Sequence, residues 1–134
     1  MVNSTLYIDE IKVSYEKESV CIDKPNLEIA IKSLKDMEEG KVHYIEYNNT
    51  NSGIGMAVFG DPGVYHIGIV NENTDEIYYY WNGMETTGGL IEINGNLYPK
   101  HTICNDFNIL SSIVKEFCIN GERLEDIKWI YEED

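Results

Sequence analysis

Apolar side chains recur along this chain with two different spacings, and the changes of spacing divide it into elements. LYIDEIKVSYE alternates at Ile11, Val13 and Tyr15, the period of a strand with one buried face. DKPNLEIAIKSLKDMEEG instead places Leu27, Ala30, Ile31, Leu34 and Met37 three or four apart. That spacing predicts a helix, opened by Asp23 and a proline suited to the first turn and ended by Gly40 in the left-handed conformation. From Val42 to Ile93 the runs VHYIEY, IGMAVFG, VYHIGIV, EIYYYW and LIEI are separated by NNTNSG, DPG, NENTD and NGMETTGG. Short runs broken by such turn formers read as a meander of about five antiparallel strands.

After a turn through NGNLYPKH, helical spacing returns in NDFNILSSIVKEFCING, with Phe107, Leu110, Ile113, Val114, Phe117 and Cys118 on one stripe. Asn105 or Asp106 is the expected cap and Gly121 the stop. In EDIKWIYEED, Ile127, Trp129 and Tyr131 alternate as a last strand before an acidic tail. Both helices need an apolar sheet face to bury against. The expected fold is therefore α+β: a mainly antiparallel sheet of about six or seven strands with two helices packed on one face, in a single domain over residues 1–134.

Such a fold leaves the second sheet face open, and alternation assigns residues to it. In EIYYYWNG, Ile77, Tyr79 and Trp81 share one face while Tyr78 and Tyr80 share the other. Ile77 directs the first set inward, so Tyr79, Trp81, Phe117 and Trp129 are the expected structural core. The open face would then carry Tyr78, Tyr80, His66 and Glu92, with Gly68 allowing close approach of another chain.

Charge narrows the functional classes. Ten basic against twenty-four acidic side chains give a formal charge of −14, which repels phosphate backbones and argues against direct nucleic-acid binding. The same field attracts a basic partner. The N-terminal MVNSTLYIDEIK lacks the basic start and apolar run of a signal peptide, and no segment is long and apolar enough to span a bilayer, so a cytoplasmic location is expected. Cys21, Cys104 and Cys118 are odd in number and widely spaced, which suits buried, reduced thiols better than a disulfide framework or a zinc knuckle.

Catalytic chemistry finds little support in the spacing. Cys104 with His43, His66 and His101 could supply a nucleophile and a base, and His101 and Cys104 three apart could form half a metal site, but no second pair of close ligands follows. Carboxylates are too abundant for any pair to be singled out. SGIGMAVFGDPG lacks the lysine and following helix of a phosphate loop. No catalytic residue, metal or cofactor is expected.

FGDPGVYHIGIV, EIYYYWNG and FNILSSIVKEFCINGERLEDIKW occur in the order found in a group of bacterial immunity proteins. Over residues 27–130 the chain resembles the immunity protein 1 family of polymorphic-toxin and contact-dependent inhibition systems, with Gly60, Gly63, Trp81, Gly83, Phe117, Gly121 and Trp129 at the matching positions. It departs from that pattern after Gly121, where Glu122, Arg123 and Leu124 stand without a proline. The resemblance implies a non-enzymatic antitoxin that binds and covers the active site of a secreted toxin domain, a nucleic-acid deaminase or nuclease. A basic toxin cleft fits an acidic inhibitor, and a one-to-one complex of a monomer is expected. The partner-binding residues would be Asp61, His66, Glu72, Asp75, Glu76, Tyr78, Tyr80, Glu85 and Glu92. Two other classes remain open: a small enzyme or ligand carrier with its pocket near His66, Tyr78 and Tyr80, and an acidic regulatory or scaffolding module.

Overall fold

A computed structural model of the protein describes residues 6–133. Residues 1–5 of the expected leader-free N-terminus, and Asp134 of the acidic tail, lie outside the described residues. The main sheet is antiparallel throughout and runs in the order β10-β6-β5-β4-β3-β1-β2. Its strands are β1 (Glu10–Tyr15), β2 (Ser19–Asp23), β3 (Val42–Asn49), β4 (Ile54–Asp61), β5 (Val64–Asn71), β6 (Glu76–Trp81) and β10 (Lys128–Glu133). A two-residue strand, β9 (Ile103–Cys104), also pairs with β5, while β7 (Leu90–Ile93) and β8 (Asn96–Pro99) form a separate hairpin. Two helices, α1 (Leu27–Glu38) and α2 (Phe107–Asn120), pack on one face, so the architecture is the expected α+β arrangement.

Local chemistry sets the helix ends. Asn26, not Asp23, caps α1, its side chain accepting from the Ile29 amide at 2.8 Å, and Pro25 lies just outside the helix. Gly40 follows at φ +81. Asp106 caps α2 by accepting from the amides of Asn108 and Ile109, and Gly121 ends it at φ +72.

Alternation then builds the core. Ile11, Val13, Ile45, Tyr47, Met56, Val58, Tyr65, Ile67 and Ile69 point from successive strands to the helices, where Ala30, Leu34, Met37, Leu110, Ile113, Val114 and Phe117 meet them. Full burial of each large apolar side chain contributes roughly 1.5–3 kcal/mol. Tyr47 keeps its hydroxyl satisfied by donating to the Ala30 carbonyl at 3.1 Å, and burial holds its ionisation far above the ordinary tyrosine range.

Three elements depart from the expected meander. SVCID, not anticipated as a strand, pairs with β1 as the edge strand β2. NLYP, expected within a turn, is β8, joined to β7 by Asn94 and Gly95 at φ 50 and 84, the two left-handed residues a tight hairpin turn requires. LIEI therefore leaves the meander, and β10 takes the place beside β6.

The two faces of β6 are also the reverse of those expected. Tyr80 is 7% exposed in the core and Tyr78 packs against it, whereas Tyr79 and Trp81 stand on the face that the helices leave uncovered. The pairing explains it: Ile69, an inward residue, lies opposite Tyr78, and Gly68, an outward one, lies opposite Tyr79. Phe117 is fully buried, with its ring edge-on to Tyr7 at 5.7 Å. Trp129 lies opposite Tyr80 on the helix side, half-buried, so it remains with the core. Of the cysteines, Cys104 and Cys118 are buried as expected, but Cys21 is exposed on the edge strand.

Candidate functional site

The uncovered sheet face is not flat, because its middle strands carry small residues. Cross-strand register aligns Lys12, Glu46, Ala57, Gly68, Tyr79 and Ile130 in one row. The next row runs Glu10, Asn48, Gly55, Val70, Ile77 and Glu132. Gly55, Ala57 and Gly68 thus floor a trough between higher walls on β1–β3 and β6–β10. On the β1–β3 side the trough opens into a cleft of about 470 Å³ whose lining includes Glu10, Lys12, Tyr44, Glu46 and Glu72. Three carboxylates facing one lysine leave this wall negative. Burial, followed by the adjoining Glu46 carboxylate, raises the Tyr44 hydroxyl well above the ordinary tyrosine range, so it stays a neutral donor. At the rim, Asp9 accepts from the hydroxyl and the amide of Thr50, and those bonds lower its pKa.

The other end of the open face is aromatic. Tyr44 and Phe59 are 4.4 Å apart between ring centroids, and His66 lies 4.4 Å from Tyr98 and 5.2 Å from Tyr79. The β7–β8 hairpin brings Tyr98 over this region. It is tied down by Asn94, whose amide nitrogens donate to Asp61 Oδ2 and to the Gly60 carbonyl. Asn82 donates to the carbonyls of Lys100 and Ile103, fixing the following turn. A cleft of about 250 Å³ results, lined by His66, Tyr79, Tyr98, His101, Thr102, Ile130 and Glu132 among others. His66 is 7% exposed, its Nδ1 is buried without a hydrogen-bond partner, and burial pushes its pKa down to about 4. It is therefore a neutral imidazole at physiological pH.

The residues expected to bind a partner are divided among separate places. His66 lies on the open face, as the alternation implied, and Glu72, expected only as a turn residue, lies at the trough margin. Asp61 is engaged by Asn94 and approaches His43 Nδ1 at 3.5 Å, a role in holding the hairpin. Asp75 occupies the β5–β6 turn at φ 60, and Glu85 and Glu92 are exposed on the loop after β6 and on β7. Tyr80 is withdrawn into the core, where it hydrogen-bonds Cys104. Tyr78 and Glu76 belong to a different, helix-side cleft of about 590 Å³. That larger cleft is already furnished from within: the Arg123 guanidinium lies 3.9 Å from the Tyr78 ring centroid, and the Trp129 indole donates to the Leu124 carbonyl at 3.4 Å.

Alternation alone missed Tyr44, Glu46, Phe59 and Tyr98 as members of the face. The first three were within its reach, since Ile45 and Tyr47 point inward and leave Tyr44 and Glu46 outward. Tyr98 was not, because its segment reads as a turn. Cys104 lies on the helix side, its sulfur donating to the Asp106 carbonyl, away from the cleft that holds His66 and His101. Among the described residues no group of three or more His, Cys, Asp or Glu side chains could hold a metal ion, and no helix is long and apolar enough to cross a membrane.

Over residues 15–127 the chain matches, and belongs to, a family of unknown function (DUF6911). No curated protein matches it. Among solved structures, the crystal structure of a hypothetical protein from Neisseria gonorrhoeae is similar to it, with a TM-score of 0.62 over 93% of this chain and 95% of that one. At 18% identity the likeness is one of fold.

Proposed function

We propose that this family member is a protein-binding module whose uncovered sheet face docks a basic partner, and that the partner is a secreted toxin domain which it neutralises. The observation that carries the docking reading is the trough floored by Gly55, Ala57 and Gly68 and edged by Glu10, Glu46 and Glu72. A floor of glycine and alanine lets an incoming chain come close to the sheet once the Asn48 and Tyr79 side chains that lie over Gly55 and Gly68 turn aside, and carboxylates on the wall favour a cationic one. The formal charge of −14 extends that preference beyond contact distance and raises the encounter rate with a basic surface. The toxin as the particular partner rests on the resemblance to immunity proteins: a nucleic-acid-acting toxin needs a basic cleft, and a rigid acidic face can occupy it.

The cleft beside His66 is the feature that favours the competing reading of a ligand carrier. Its volume, about 250 Å³, lies below the roughly 300–1,000 Å³ of ordinary small-molecule sites, so it suits one side chain better than a metabolite.

Co-expression with the toxin domain encoded by the neighbouring gene tests the proposal. The expected result is restored growth and co-purification as a one-to-one complex that weakens with salt. Toxicity undiminished by the chain, with no complex recovered, overturns it.

A further inference from the structure

Resting on the docking reading above, we propose that the cleft between β5, β6, β10 and the β7–β8 hairpin is an anchor pocket for an arginine side chain of the partner. Four features of its lining select a guanidinium. First, its lining is aromatic, with the Tyr98 and Tyr79 rings clustered 4.4 and 5.2 Å from the His66 ring, and a planar, weakly hydrated cation stacks on such rings better than a compact ammonium. Second, Glu132 supplies a carboxylate and neither lysine nor arginine lines the cleft, so an anion is disfavoured and a cation is balanced. Third, His66 holds a buried ring nitrogen that no other group satisfies. A guanidinium offers several N–H donors, one of which the unprotonated nitrogen of a neutral imidazole can accept when the ring turns toward the cleft. Fourth, Ile130 provides apolar surface for the methylene stem of the entering side chain.

The position completes the argument. Tyr79 belongs both to the cleft and to the row that crosses the trough through Gly68 and Ala57. A chain lying in the trough therefore passes the mouth of the cleft, and its arginine can enter while neighbouring basic residues meet Glu46 and Glu10. The low pKa of His66 supports this, because an imidazole that stays neutral above pH of about 4 does not repel the incoming charge.

Nuclear magnetic resonance titration of the intact protein at pH 7 with ethylguanidinium chloride tests the pocket without any partner. Saturable shifts confined to His66, Tyr79, Tyr98 and His101 are expected, with ethylammonium chloride at least about fivefold weaker. Tyr98→Leu and Glu132→Gln should each weaken ethylguanidinium about three- to tenfold. Glu132 is exposed and Tyr98 half-buried, and an unchanged melting temperature verifies that the fold is kept. Shifts elsewhere, or equal response to the two cations, overturn the pocket. If ethylguanidinium binds as expected but Tyr98→Leu leaves the affinity for the co-purified toxin domain unchanged, the anchor role is overturned. If ethylguanidinium binds and no toxin domain is captured, the docking reading fails and the guanidinium site stands.

Discussion

The Tyr79 ring lies over Gly68 across the β5–β6 ladder, with two of its carbons 3.3 Å from where a Cβ on Gly68 would stand. The aromatic residue fills the space the glycine leaves, and the pair forms the step between trough and cleft. Gly68→Val suits a strand, yet it must push the Tyr79 ring aside and raise the trough floor. Stability should change by no more than about 1–3 kcal/mol, while partner affinity falls by roughly tenfold. Thermal melting and calorimetry on the same variant separate the two effects.

The reversed faces of β6 give a second expectation. Tyr80→Ala empties a core position and should cost roughly 3–5 kcal/mol, since the side chain is 7% exposed and sits opposite Trp129. Trp81→Ala should cost less than half as much. Trp81 stands partly exposed, its indole donating to the Met84 carbonyl at 2.8 Å in the adjoining loop. Urea unfolding of both variants measures the difference directly; equal losses would contradict the facing described here.

His66 makes stability depend on pH in a defined window. Its pKa is about 4 in the fold against 6.5 for the ordinary group, so between those values the unfolded chain binds the proton and the folded one does not. Stability from this residue is fully present above pH of about 6.5 and declines as pH falls toward 4, by roughly 2 kcal/mol between pH 7 and pH 5. His66→Phe keeps a ring in the cluster and should remove that part of the slope, which paired denaturation curves at the two pH values would reveal.

Gly121 is held by both its conformation and its neighbour. At φ +72 it closes α2, and a Cβ there would stand 2.6 Å from the Tyr7 ring. Gly121→Ala should lose at least about 1–2 kcal/mol from the left-handed backbone alone, with Tyr7 displaced in addition. A lowered melting temperature and loss of the Tyr7–Phe117 ring contact in nuclear Overhauser spectra are the expected signs.

Charge reversal on the negative wall tests long-range attraction. The double variant Glu46→Lys and Glu72→Lys should slow association with the toxin domain by roughly tenfold at low salt and flatten the salt dependence, with dissociation less affected. Stopped-flow kinetics at several ionic strengths gives both rates. An unchanged association rate would remove this wall from the interface.

Much of the fold was legible because its signals are local. The stripe from Leu110 to Cys118, the cap at Asp106 and the left-handed stop at Gly121 depend on residues within a few positions of one another. The site was less legible. His66 and Gly68 fell on the open face as alternation implied, but Tyr78 and Tyr80 did not, since Ile77 was a poor guide to which set is inward. The deciding factor was the exact length of the turn. Read as NENTD the turn has five residues and would set Ile69 against Ile77; in the structure Asn71 belongs to β5, the loop is the four residues Glu72 to Asp75, and that one-residue difference sets Ile69 against Tyr78.

What the sequence by itself determined was the division of the anticipated strands into two faces, the apolar stripes of both helices with the cap and stop of the second, and the excess of negative charge, because backbone geometry and composition need no distant partner. Only the tertiary structure decided which face of β6 joins the core, that β10 rather than β7 lies beside it, and that β8 brings Tyr98 over His66. Those outcomes depend on pairings between segments far apart in the chain, where a strand's choice of neighbour is settled by which combination buries the most apolar surface while leaving fewest backbone groups unpaired.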